Sequence, residues 1–171
     1  VYTDGSFTGF KNRHARYLRG WAAAFFPKGP PPSAENGSFL CNSNFGGVLR
    51  GRVVVGSDVD APIGRLAGAM KLSNSTAEMQ AIVESLLFIL AQVEADAPII
   101  PLGEAIVIHS DSRYAVALVR HRSRPTTYFL LRDFLNHLWK KAKDFLNIRI
   151  LWGRGHDEVP SHIDISHCRL I

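Results

Sequence analysis

Short apolar runs separated by turn residues predict three β-strands in the first third of the chain. They cover residues 1–4, 20–26 and 45–56, and the first is expected to end at the Asp-Gly-Ser turn that follows it. Between the second and third strands, residues 27–44 contain three consecutive prolines together with glycine, serine and asparagine. These residue types favour turns and leave little to bury, so we predict a surface insertion there.

From residue 75 onwards, helical patterns alternate with strand patterns. The longest stripe of apolar residues at helical spacing predicts a helix over residues 75–93, and Glu78 lies on the same inward-facing stripe. The other predicted elements are a central strand over 105–108, helices over about 112–121 and about 127–145 with Phe145 buried, a strand over 148–152 and a final helix over 161–171. Strands that come first and then alternate with helices predict an α/β domain whose sheet is partly antiparallel and partly parallel.

Length and charge narrow the class of protein. The 171 residues, 46% of them hydrophobic, are enough for one full core and too few for two comfortable domains, so we predict a single domain over residues 1–171. The 20 Lys and Arg against 15 Asp and Glu give a net charge of +5, which suits a polyanionic partner.

Cysteine usage and hydropathy indicate a reducing, aqueous setting. The two cysteines, Cys41 and Cys168, are far apart and form no pattern typical of a disulfide framework or a zinc site. Glu84 interrupts the longest apolar run well short of a membrane span. We therefore expect an intracellular location, in the cytoplasm or nucleus, and no membrane partner. The chain opens within a predicted strand and stops within a predicted helix, so we expect a domain of a longer polypeptide.

Four carboxylates stand where an apolar residue or a simple turn is the ordinary choice. Asp4 and Asp111 end predicted strands, Glu78 faces inward on a helix, and Asp164 follows His162 near the chain end. Burying an unpaired carboxylate costs several kcal/mol, so a cation is expected to hold such groups. If the first and fourth strands are neighbours, three of these acids meet at one edge of the sheet. Carboxylate oxygens with room for water select Mg²⁺ or Mn²⁺.

The residues around these carboxylates resemble the type 1 ribonuclease H family. The similarity is carried by Tyr2-Thr3-Asp4-Gly5-Ser6, by Asn74 to Glu78 opening a helix, by Ser110-Asp111-Ser112-Arg113-Tyr114 after an apolar strand, and by Gly155-His156 and Asp164. The resemblance implies a ribonuclease H-like fold, a five-stranded mixed sheet in the order 3-2-1-4-5 with helices on both faces. It also implies hydrolysis of the RNA strand of RNA/DNA hybrids by a two-metal-ion mechanism.

The same resemblance assigns roles to individual residues. Asp4, Glu78, Asp111 and Asp164 are the expected ligands of two Mg²⁺ or Mn²⁺ ions, and His156 is expected to assist proton transfer or product release. The expected substrate-binding residues are Gly5, Ser6, Asn74, Ser75, Ser112, Arg113, Lys140 and Lys141. Asn74 matches the position that reads 2′-hydroxyls in the minor groove, and the basic residues are expected to hold phosphates. A reverse transcriptase domain on the same polypeptide, as in retroelements, is an expected partner, and the isolated domain is expected to be a monomer.

Two departures from the family pattern keep other functions open. Only 8 positions separate His156 from Asp164, fewer than the family usually has, and no tryptophan-rich basic handle stands between the predicted helices at about 112–121 and about 127–145. One alternative is a catalytically weak or inactive module that binds nucleic acid. Another is a DNA strand-transfer enzyme on the same fold. A zinc site built from His156, His162, His167 and Cys168 matches no standard spacing.

Overall fold

The computed structural model describes residues 1–8, 18–26, 47–53, 69, 71–95, 103–120 and 128–153. In chain order, the elements are β1 Tyr2–Thr8, β2 Leu18–Phe25, β3 Gly47–Arg52, α1 Asn74–Val93, β4 Ile106–Ser110, α2 Arg113–Val119, α3 Phe129–Phe145 and β5 Ile148–Trp152. The predicted insertion at 27–44 and the predicted final helix at 161–171 lie outside the described residues.

The five strands form one mixed sheet in the order β3-β2-β1-β4-β5. β1 pairs antiparallel with β2 and parallel with β4, while β2 and β3 are antiparallel and β4 and β5 are parallel. This α/β arrangement confirms the predicted strand order 3-2-1-4-5. It places β1 at the centre, next to β4, where Thr3 pairs with Ser110, so Asp4 lies next to the end of β4.

One face of the sheet packs against all three described helices. Ala23, Ile108 and Ile150 of this face join a single core with residues of the three helices, and the helices contact one another. Side chains of β4 and β5 alternate between buried and more exposed positions. The central strand was expected to be covered on both faces; among the described residues, helices pack on one face only, and a helix on the second face stays a prediction.

Helix α1 is the centre of that core. Its apolar stripe, which includes Ile82, Leu86 and Ile89, is fully buried as predicted. An 18-residue window of α1 is long and apolar enough to cross a membrane, with a mean hydropathy of 1.3, but 67% of that window is buried inside the protein. Burial of this kind is what a core helix of an α/β domain requires.

Three predicted boundaries or burials are wrong. β1 does not end at Asp4 but continues to Thr8, because Gly5 remains paired with Trp21 of β2. α1 begins at Asn74, one residue before the predicted start at residue 75, and is capped by Ser73. Phe145, expected in the core, has 63% of its surface exposed, since α3 ends there and the chain turns into β5.

Candidate metal centre

Helix α1 brings Glu78 to the centre of the sheet. Ser73 begins the helix by accepting a hydrogen bond from the Thr76 backbone N–H at 3.1 Å. The Ser73 hydroxyl also lies 3.0 Å from the hydroxyl of Tyr128, which precedes α3 and has a left-handed backbone with φ of 69°. The start of α1 is therefore tied to the start of α3, and Glu78 follows about one turn later on the inward face.

Glycine at position 5 lets α1 approach β1 closely. A Cβ on Gly5 would lie 2.2 Å from the carbonyl carbon of Ala77 and 2.2 Å from the backbone nitrogen of Glu78. Both are backbone atoms that cannot move aside without shifting the helix. A residue with a side chain is thus excluded, and Asp4, the residue before Gly5, lies beside the turn of α1 that carries Glu78.

Asp111 is placed by the junction between β4 and α2. Ser112 caps α2 by accepting a hydrogen bond from the Ala115 backbone N–H at 3.2 Å. The Ser112 backbone N–H donates in turn to the hydroxyl oxygen of Ser110 at 3.2 Å. These two bonds lie on either side of Asp111, which is exposed directly after the end of β4.

The three carboxylates converge on one point. Asp4, Glu78 and Asp111 each offer a carboxylate oxygen, and these oxygens all lie within 4.8 Å of one another. We call these residues the acidic triad. The residues are separated by 74 and 33 positions in the sequence, yet β1, α1 and β4 bring them together as expected from the strand pattern.

Burial and mutual repulsion disfavour the ionised form of Glu78. Only 9% of its surface is exposed, and this burial, followed by the charges of Asp111 and Asp4, raises its pKa from 4.5 to about 9. A hydrogen bond from the Gly5 backbone N–H acts in the opposite direction and is the weakest of these effects. Without a nearby cation, Glu78 is therefore protonated at neutral pH.

The donor set fits a hard divalent cation. Among the described residues, none forms a hydrogen bond with the buried Oε2 of Glu78. An oxygen in that state, facing two further carboxylates, is what Mg²⁺ or Mn²⁺ accepts as a ligand. The acidic triad could hold such an ion, and the expectation of two ions stays a prediction because the fourth ligand, Asp164, lies outside the described residues.

The other predicted site residues fall into three groups. Gly5 and Ser6 lie in β1, while Asn74 and Ser75 form the first turn of α1. Ser112 and Arg113 begin α2 beside Asp111, and Lys140 and Lys141 are exposed in the second half of α3. Gly5, Ser6, Asn74 and Ser75 thus lie on β1 and α1, and Ser112 and Arg113 directly follow Asp111, whereas the two lysines lie on α3, which carries no member of the triad. His156 lies outside the described residues.

Trp152 is a residue near the triad that the sequence did not single out for function. It ends β5 in register with Ser110, and its indole Nε1–H donates to the backbone carbonyl of Asp111 at 2.9 Å. The guanidinium carbon of Arg113 lies 4.4 Å from the centre of the same ring. The sequence signal was its position at the end of a strand parallel to the one that precedes Asp111.

No protein-family model, curated protein or solved structure matches this chain.

Proposed function

We propose that this protein is a metal-dependent ribonuclease H that hydrolyses the RNA strand of RNA/DNA hybrids. The observation that carries the proposal is the acidic triad, whose carboxylate oxygens from β1, α1 and the bend after β4 lie within 4.8 Å of one another. The order of the five strands and the convergence of Asp4, Glu78 and Asp111 support the proposal, which includes a ribonuclease H-like fold.

In the proposed mechanism, the acidic triad would bind the metal. Asp4, Glu78 and Asp111 would hold the first ion, with Asp164 as the expected fourth ligand. Two bound Mg²⁺ or Mn²⁺ ions supply an activated water and stabilise the leaving oxygen of a phosphodiester. Glu78 must lose its proton when it becomes a ligand, and the triad then presents three negative charges that require a cation.

The substrate-binding side is expected on the neighbouring surface. Asn74 and Ser75, at the start of α1, carry polar groups able to meet the 2′-hydroxyls that distinguish RNA from DNA. Arg113 is exposed beside Asp111, and Lys140 and Lys141 add positive charge on α3. With a net charge of +5, the protein is expected to bind the hybrid more weakly as salt increases.

The test is cleavage of a labelled RNA/DNA hybrid in Mg²⁺ or Mn²⁺, comparing the parent with Asp111→Asn. We expect metal-dependent cleavage by the parent and a loss of at least about a hundredfold in the cleavage rate of Asp111→Asn. Removal of a metal ligand should cost more than removal of a group that only orients a ligand. Asp111→Asn should melt at or above the parent temperature, since it relieves repulsion among the metal-free carboxylates.

Asp144→Asn is the matched control, because Asp144 is an exposed aspartate on α3 outside the triad. Absence of cleavage by a folded parent would count against the proposal. Hybrid binding without metal-dependent cleavage would favour a non-catalytic binding module, and strand transfer on DNA ends would favour the DNA-processing alternative. The reverse transcriptase partner, the retroelement origin and the intracellular location stay predictions from the resemblance.

A further inference from the structure

Trp152 contacts the acidic triad and a basic residue through two different parts of one ring. The edge of its indole donates a hydrogen bond from Nε1 to the backbone carbonyl of Asp111 at 2.9 Å. The face of the same ring lies under Arg113, whose guanidinium carbon is 4.4 Å from the ring centre. This distance is within the range of a cation–π interaction.

The backbone at Asp111 depends on such contacts. Asp111 is exposed, so packing does not hold its side chain, and the residue lies in a bend between β4 and α2. β5 reaches this bend twice: through the Trp152 indole, and through the Gly153 backbone N–H, which donates to the carbonyl of Ser110 at 3.2 Å. The position of the Asp111 carboxylate therefore follows from where the end of β5 holds the bend.

The stacking also fixes where the positive charge of Arg113 lies. A guanidinium held over an aromatic ring at 4.4 Å is confined to one place, from which its fork of N–H groups can meet a phosphate in a bidentate manner. Arg113 is two residues after Asp111, so the ring of Trp152 contacts both the acidic residue and the basic residue. The acidic triad and the expected phosphate contact of Arg113 thus both depend on Trp152.

We propose that Trp152 is a positioning residue: its N–H sets Asp111 for metal binding, and its ring face sets Arg113 for a phosphate of the substrate. This inference rests on the proposed function of the acidic triad. The two contacts are made by separate parts of the ring, so each can be removed without the other.

The test replaces Trp152 by benzothienylalanine, which keeps the shape and aromatic face of tryptophan but has no N–H. Mn²⁺ affinity is measured by electron paramagnetic resonance without substrate, and kcat and KM are measured on the hybrid at saturating Mn²⁺. We expect the Mn²⁺ dissociation constant to rise about tenfold, as for other groups that orient a metal ligand. KM for the hybrid should stay within about twofold, because the stacking on Arg113 is kept.

Three further variants complete the design. Arg113→Gln should give the opposite result, with KM raised and Mn²⁺ affinity not weakened, because it removes the phosphate contact and leaves the Trp152 hydrogen bond intact. Trp139, which lies on α3, is replaced by benzothienylalanine as the control and should leave both quantities unchanged. Trp152→Phe, which also lacks the donor, is a second variant for the Mn²⁺ measurement.

The outcomes separate this inference from the proposed function. Unchanged Mn²⁺ affinity in both donor-less Trp152 variants, beside a parent that cleaves the hybrid, overturns the positioning role alone. A parent that binds Mn²⁺ but cleaves no hybrid overturns the proposed reaction, while a raised dissociation constant in the variants still supports the role of Trp152. A parent without Mn²⁺ binding overturns both.

Discussion

The acidic triad takes its members from two different kinds of surroundings. Glu78 lies deep, with 9% of its surface exposed, on a helix that touches the backbone of Gly5. Asp111 lies at the rim, exposed, in a bend between β4 and α2 that hydrogen bonds hold in place. We refer to these as the inner position and the rim position.

The difference shows that two separate kinds of interaction build one site. Close packing of α1 on β1 places Glu78 at the inner position. Burial and the neighbouring charges of Asp111 and Asp4 then disfavour the ionised form of this carboxylate. Hydrogen bonds to the backbone set the rim position, where water can still solvate the charge. Changes at the inner position should therefore alter the stability of the whole domain, while changes at the rim should mainly alter ligand affinity.

The largest effect on stability should come from Gly5→Ala, which disrupts the close packing of α1 on β1 at the inner position. The added Cβ would lie 2.2 Å from two backbone atoms of α1, so the helix has to move away from β1. We expect a loss of about 3 kcal/mol or more in the free energy of unfolding, measured by denaturant titration, because overpacking against rigid backbone is among the costliest single changes.

Gly20→Ala is the control for that change, since Gly20 pairs with Ser6 of β1 in the same sheet. A Cβ there would meet the carbonyl oxygen of Gly51 at 3.4 Å, which is an ordinary contact. Gly20→Ala should change stability far less than Gly5→Ala. Equal effects from the two substitutions would show that α1 does not rest on β1 at Gly5.

A smaller effect, dependent on pH, should come from Glu78→Gln in metal-free protein. The pKa of Glu78 is about 9 in the folded state against 4.5 for a glutamate in the unfolded chain, so the folded protein holds one more proton between these values. Stability must then fall as pH rises through that window, by up to about 1.4 kcal/mol per pH unit. Glu78→Gln removes this slope and should be more stable than the parent at pH 9 by a few kcal/mol.

The measurement is the free energy of unfolding of parent and variant from pH 5 to pH 9. Glu104→Gln, at an exposed position, should keep the slope of the parent. Added Mn²⁺ should bind the parent more tightly as pH rises, because the ion competes with the proton on Glu78. If parent and Glu78→Gln had the same slope, Glu78 would be ionised in the folded protein and the inner position would be better solvated than its burial implies.

The inner position could be predicted from sequence because it follows from the helical spacing of apolar residues in α1. The helical stripe that contains Ile82 and Leu86 also contains Glu78, so an inward carboxylate on α1 followed directly from spacing. The order of the strands came instead from the family resemblance, because the alternation of strands with helices predicted only a sheet that is partly antiparallel and partly parallel. The prediction that β1 ends at Asp4 failed because Gly5 looked like a turn residue, whereas it is a point of close contact inside a strand.

The rim position was harder to predict because the residues that hold it are far apart in the sequence and follow no repeating pattern. Nothing in the spacing between Asp111 and Trp152 indicates that an indole N–H will meet a backbone carbonyl 41 residues away. The bond between Tyr128 and Ser73, 55 residues apart, is of the same kind. Such contacts depend on the final packing of elements, which single-sequence patterns do not encode.

The smallest effects should come from removing the two helix caps, which compares the inner and rim positions directly. Ser73 caps the 20-residue α1 and also meets the hydroxyls of Thr76 and Tyr128, both at 3.0 Å. Ser112 caps the 7-residue α2 through its bond to the Ala115 backbone N–H. Loss of a serine cap typically costs about 1 kcal/mol, and loss of further hydrogen bonds adds to it.

We therefore expect Ser73→Ala to cost about 2 kcal/mol of unfolding free energy and Ser112→Ala about 1 kcal/mol, both measured by urea titration. Mn²⁺ affinity should show the reverse order, because Ser112 adjoins Asp111 and fixes the bend that carries it, whereas the close contact at Gly5 still holds Glu78 when Ser73 is changed. A variant that lost stability and Mn²⁺ affinity in the same proportion at both sites would contradict the division between inner and rim positions. It would mean that the triad responds to the fold as a whole.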